Sequence, residues 1–129
     1  MPILLVLGYL FTEIAVHNRL GGLFNIVLFL PALIPSVSTS NIWSELFQSE
    51  NIFPIIVLFI WKNVGIITLI MTAGRMRISR EIFDAASIDG AGFYTLHSAV
   101  ILPLMTPVIF FSALVGLVQS FKIFREIYL

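Results

Sequence analysis

Asp84-Ala85-Ala86-Ser87-Ile88-Asp89-Gly90-Ala91, with nine residues between Gly90 and Val100 and then Ile101-Leu102-Pro103 and Pro107, lies between two apolar segments long enough to cross a bilayer. Upstream, Ser79 reads as a helix N-cap, and Glu81 and Asp84 fall in the first turns, where carboxylates complement the helix dipole. Ile82, Phe83, Ala85, Ala86 and Ile88 complete a helix too short to hold in water alone, so it needs a surface to lie on. Ala85 and Ala86 allow close backbone approach, and Asp84 and Asp89 offer carboxylates to basic groups on a partner. Gly90 permits a sharp change of direction before a second helical stretch near Ala91. The residues alone leave two readings open: a bent docking elbow, or an ordinary amphipathic helix at the membrane surface.

The rest of the chain decides the class. It is 59% hydrophobic and 11% charged, with a mean hydropathy of +1.05. Soluble domains carry about 25% charged residues, so this is an integral membrane protein whose 129 residues must be covered mainly by lipid or partner subunits. A formal net charge of zero gives no basic surface for nucleic acid. Without cysteine there is no disulfide, thiolate metal site or thiol nucleophile. His17 and His97 are far apart and lack ligand spacing, so no metal is expected, and no nucleophile, base and orienter set marks a catalytic site. No cofactor is implied.

Hydrophobic runs predict membrane segments at about 2–16, 23–43, 53–74 and 99–118, with a connecting loop at about 75–98. They lack the alternation of barrel strands, which leaves an all-α, polytopic transmembrane fold of about four segments over residues 1–129. Pro31 and Pro35 should kink or interrupt the second segment, and Pro103 and Pro107 shape the start of the fourth. Arg75, Arg77 and Arg80 cluster in one loop and Arg19 lies in another, which places both on the cytoplasmic side. Lys122 and Arg125 at the other end are fewer and sit beside Glu126.

Taken with this spacing, the central motif resembles the EAA motif of permease subunits in bacterial ATP-binding-cassette importers. Flanking text is similar to the carbohydrate-importer branch: Phe29-Leu30-Pro31, Trp61-Lys62-Asn63-Val64-Gly65, Ile78 with Glu81-Ile82-Phe83, and Ser120-Phe121-Lys122 with Phe124. The likeness covers roughly residues 24–129. Asp84 stands where the family has Glu, Ser79 where a Pro is common, and Val100 where Ile is usual. The resemblance implies a permease in the bacterial inner membrane, with residues 75–98 as a cytoplasmic coupling loop and Asp84, Ala85, Ala86, Asp89 and Gly90 docking a separate ATPase subunit. It further implies a second permease subunit, an extracytoplasmic solute-binding protein and lipid as partners, with a sugar or oligosaccharide as solute. The chain's lack of a G-x-x-x-x-G-K-[ST] loop agrees with ATP hydrolysis on another polypeptide. The family has further spans beyond both ends, so the chain is expected to be part of a larger permease domain. A nontransporting scaffold or degenerate permease fragment, and an importer for another solute class, are the alternatives.

Lys62 and Asn63 interrupt the third segment. A cation at mid-span costs about 2.5–3.5 kcal/mol on insertion scales, so it needs a polar cavity or a partner. The pair is a candidate lining of the solute pathway; the plainer alternative is that Lys62 snorkels or pairs with a neighbouring helix. Glu13 reads as structural or membrane-edge.

Overall fold

The computed structural model describes residues 1–35 and 53–127, with the side chains at 55 and 123–127 excepted. The described residues are helical, without strands. Helix α1 is Pro2–His17; α2 is Gly21–Phe29 and runs on into a 3₁₀ turn, Leu30–Leu33; α3 is Phe53–Arg75; and α4 is Arg80–Ile88. Helix α5 opens with Phe93–Thr95, passes through a π-helical stretch, Leu96–Ile101, and continues as Leu102–Ile127. Two helical stretches, Ile56–Arg75 and Phe93–Lys122, are long and apolar enough to span a membrane, while Pro2–His17 and Gly21–Leu33 are apolar but shorter.

The expected segments at 2–16 and 53–74 match α1 and α3. The other two differ in extent among the described residues. Among the described residues, the segment expected at 23–43 is helical as far as Leu33, where Ile34 turns extended (φ −73°, ψ 127°) as a residue preceding proline prefers. Residues 36–43 lie outside the described residues. The segment expected at 99–118 begins earlier, at Phe93, because the chain re-enters a helix directly after Gly92. The π-helical turns come just before Pro103, whose ring crowds the carbonyl four residues back in a regular α-helix.

Helix directions follow from which residues meet. Along α1, Gly8 lies against Ile67 and Met71, Thr12 bonds to Thr68, and Glu13 pairs with Arg75, so α1 and α3 run parallel. Gly65 of α3 meets Leu28 and Phe29, and Leu69 shares a cleft with Gly22 and Asn25, so α2 runs antiparallel to α3. Gly74 meets Val108, and Gly116 meets Met1 and Leu4, which makes α5 antiparallel to both α1 and α3. The Arg19 loop and the Arg75–Arg80 loop therefore share one end of the bundle, as the basic residues require.

Leu4, Val64, Ile67, Met71, Ile101 and Met105 form the buried core. Lipid tails are as apolar as these side chains, so close packing and interhelical hydrogen bonds carry the association. At Gly65 a β-carbon would overlap the Leu28 carbonyl, so only glycine permits this α2–α3 approach. Between α1 and α3, the Thr12 hydroxyl donates to the Gly8 carbonyl at 2.8 Å and lies 3.3 Å from the Thr68 carbonyl. Outward, Ile3, Val6, Leu10 and Ile14 on α1 and Phe110, Leu114, Leu117 and Phe121 on α5 are exposed at helical spacing, surfaces suited to lipid or neighbouring helices.

Candidate functional site

Helix α4 sits at the end of the bundle that carries the basic loops. Ser79 occupies the N-cap position with extended backbone, but its side chain makes no capping bond. Its carbonyl instead accepts from Ile82 N–H at 3.3 Å. The C-terminus is closed more firmly. Gly90 adopts φ 74°, its N–H donates to the Ser87 carbonyl at 3.1 Å, and Ala91 N–H donates to the Ala86 carbonyl at 2.9 Å. That pair of bonds is the Schellman arrangement, which needs a left-handed residue where Gly90 stands.

The five docking candidates divide by exposure. Asp84, Ala85, Asp89 and Gly90 are exposed, whereas Ala86 is buried within the chain. One turn on from Asp84 and Ala85, Ile88 is 86% exposed, on the same outward face of the helix. The sequence reading used Ile88 only as a generic apolar position; its spacing from Asp84 was the available signal. The outer face of α4 thus presents a small residue and an isoleucine flanked by two carboxylates, a surface able to fill an apolar cleft with basic edges.

Beneath α4 lies a polar node that the sequence reading did not assemble. Arg75, at the end of α3, places its Nε 3.0 Å from Glu13 Oε1, with the two side chains only 7% and 17% exposed. Its guanidinium also lies over the Phe83 ring of α4, 4.7 Å from the centroid. The other carboxylate oxygen of Glu13 is 3.3 Å from His97 Nε2 in the π-helical stretch of α5. His97 Nδ1 faces the Phe93 carbonyl at 3.0 Å, and its ring centroid lies 4.2 Å from that of Phe93. Both ring nitrogens therefore face acceptors. One carboxylate and one guanidinium so connect α1, α3, α4 and the start of α5. Removing one member of such a buried pair costs about 3–5 kcal/mol, because the other charge is left uncompensated.

Lys62 is buried, 9% exposed, and Asn63 is half-buried with its Nδ2 donating to the Phe59 carbonyl one turn back at 2.8 Å. Two turns further along α3, on the side facing α2, a cleft of about 350 Å³ is lined by Gly22, Asn25, Ile26, Phe29, Leu30, Leu33 and Leu69. Neither Lys62 nor Asn63 lines it.

Long apolar helices with a short amphipathic helix slung between two of them, its outer face open, define an all-α protein of the membrane-embedded class. The chain matches the family described as "Binding-protein-dependent transport system inner membrane component" over residues 5–128, and it belongs to that family. It is 22% identical over 148 residues to the trehalose/maltose transport system permease protein MalF of Thermococcus litoralis, an alignment covering 95% of this chain and 50% of the relative. Against the arabinooligosaccharides transport system permease protein AraP of Bacillus subtilis it is 24% identical, covering 99% of this chain and 48% of the relative. A shorter alignment, 36% identical over 74 residues, joins it to the sn-glycerol-3-phosphate transport system permease protein UgpA of Yersinia enterocolitica, covering 57% of this chain and 25% of the relative. The chain spans about half the length of the curated relatives it matches across nearly all of its own length. The family is one of transport components of the inner membrane rather than of enzymes.

Proposed function

We infer that the chain is part of a multi-pass inner-membrane permease subunit of an ATP-binding-cassette importer for a sugar or oligosaccharide. On this reading α4 is the coupling helix, docked in a cleft of a separate ATPase subunit. A second permease subunit completes the pathway, and an extracytoplasmic binding protein delivers the solute. Closure of paired ATPases on ATP moves α4 and switches the pathway between outward-open and inward-open states. The observation that carries the reading is the exposed face Asp84-Ala85-Ile88-Asp89 ending at the left-handed Gly90. It is a rigid, outward-facing wedge on a chain whose relatives are named as sugar-transport permeases. Asp84 and Asp89 meet cations of the ATPase, Ile88 and Ala85 fill its apolar floor, and Lys62 and Asn63 belong to the pathway half of the chain.

The test is co-expression with the ATPase, permease and binding-protein genes of the same genome, followed by affinity capture and uptake in proteoliposomes. The reading requires capture of the ATPase and uptake that depends on ATP and binding protein. Capture without uptake would favour a nontransporting scaffold or degenerate fragment. A second solute class has support of its own in the likeness to the sn-glycerol-3-phosphate permease, and competition between sugars and glycerol phosphate in the same assay separates the two.

A further inference from the structure

We propose that Glu13, Arg75, His97 and Phe83 form the transmission node through which displacement of α4 reaches the membrane helices. The proposal rests on the reading of α4 as the coupling helix and adds the route by which its motion is delivered. Helix α4 has two kinds of connection to the bundle. The covalent ones are the turn at residues 76–79 and the elbow at 89–92, the latter containing two glycines and exposed almost throughout. The glycine-containing elbow transmits force poorly, because a small backbone rotation absorbs the movement, whereas the hydrogen-bonded turn leads straight back to Arg75. Beside the direct packing of α4 on the π-helical stretch, a noncovalent connection runs through Phe83, which packs from α4 against the core with the Arg75 guanidinium over its ring at 4.7 Å. Arg75 is in turn held to Glu13 at 3.0 Å, and Glu13 to His97 at 3.3 Å.

The arrangement of the node makes it a distributor. Arg75 belongs to α3, Glu13 to α1, and His97 to the π-helical start of α5, so a shift of Phe83 is felt by three helices at one level. In the arrangement seen, the guanidinium both covers the ring and pairs with the carboxylate, and the proposed second state gives up one of the two. A coupling element needs such a two-state contact. The π-helical stretch places His97 where the chain turns from elbow into span, so the same carboxylate holds the far side of the elbow as well.

The test uses the assembled transporter, with permease, ATPase and binding protein reconstituted in proteoliposomes, and compares Phe83→Leu, Glu13→Gln and the double variant. Phe83→Leu removes the ring face while keeping an apolar side chain in the core; Glu13→Gln removes the charge at the same shape. Expected is ATPase capture within about twofold of the parent and uptake per ATP hydrolysed reduced about tenfold, within the usual range of intersite coupling. The double variant should be no worse than the more severe single one, because the two residues act in series through Arg75. Should Glu13→Gln fail to assemble, Arg75→Lys takes its place, keeping the positive charge while losing the planar group that stacks on Phe83. Unchanged uptake per ATP in assembled variants, or losses that multiply in the double variant, would overturn the node. Failure of the parent chain to capture the ATPase would instead overturn the coupling-helix reading beneath it.

Discussion

Replacing Gly90 tests whether α4 docks as a pre-shaped elbow. A β-carbon at this position meets no atom within 4 Å, so the space is open and side-chain bulk is not the issue. The obstacle is the backbone, because φ 74° is left-handed and costs an L-residue about 1–2 kcal/mol. In the free chain an alanine can relieve this by letting the Schellman bonds to Ser87 and Ala86 open, since the elbow is exposed. When docked, it must restore them. The cost therefore falls on binding, and 1–2 kcal/mol corresponds to an ATPase affinity lower by roughly 5–30-fold. Gly90→Ala and Gly90→Leu should lose similar amounts, and Gly90→Asn less, because Asn tolerates the left-handed region. Titration of purified ATPase against the permease in nanodiscs reads these affinities directly. Losses graded by side-chain volume, or an alanine variant within about twofold of the parent, would refute the conformational argument.

Other outcomes follow from single contacts. Gly65→Ala drives a β-carbon into the Leu28 carbonyl, an overpacking that costs about 1–3 kcal/mol or more, and should lower the melting midpoint in detergent, whereas Gly22→Ala, with open space around it, should leave it unchanged. Ile88→Asp should abolish ATPase capture without changing melting, because the side chain is 86% exposed in the free chain. Asp84→Ala should weaken capture more at low than at high salt, as an exposed charge contact would. The chain has no cysteine, so Ser87→Cys gives a single label site; an impermeant maleimide should reach it in inverted vesicles and not in intact cells.

Membrane class, α1, α3 and the position of α4 were legible because each depends on near-neighbour pattern: uninterrupted apolar length, or a short polar helix ended by glycine. Where α2 ends and where α5 begins depended on how proline acts on its surroundings. Pro35 forces Ile34 out of the helix, so the described helical run stops at Leu33 although the residues up to Ile34 are apolar. Ahead of Pro103 the helix widens rather than breaks, which a proline count does not reveal. Among the docking candidates, helical spacing could have separated buried Ala86 from exposed Asp84 and Ile88, since only one face of α4 can meet the bundle. The node was partly within reach. Orientation by basic residues had already put the ends of α1 and α3 on one side, and Glu13 and Arg75 stand at those ends. His97 was not, because its approach to Glu13 depends on a helix that starts at Phe93.

The elbow and the node make separable demands on the same short helix. Gly90 sets the shape α4 presents outward, so its variants should act on how tightly the ATPase is held. Phe83 sets how firmly α4 is tied inward, so its variants should act on what each hydrolysed ATP accomplishes once the ATPase is bound. A helix of this length cannot resist load through its own backbone bonds, and its two chain connections are short turns. If it is a lever, its fulcrum must be the buried face, where Ala86 closes the Schellman turn and Phe83 meets Arg75. Charges are costly at a membrane boundary unless they are paired, and here the pairing joins three helices in addition to Glu13 and His17 along α1. A purely stabilising ion pair has no need to include the one aromatic residue that connects the bundle to α4. On the proposed coupling-helix reading that inclusion gives the node a mechanical use, and it is why capture and coupling should separate cleanly between the Gly90 and Phe83 variants.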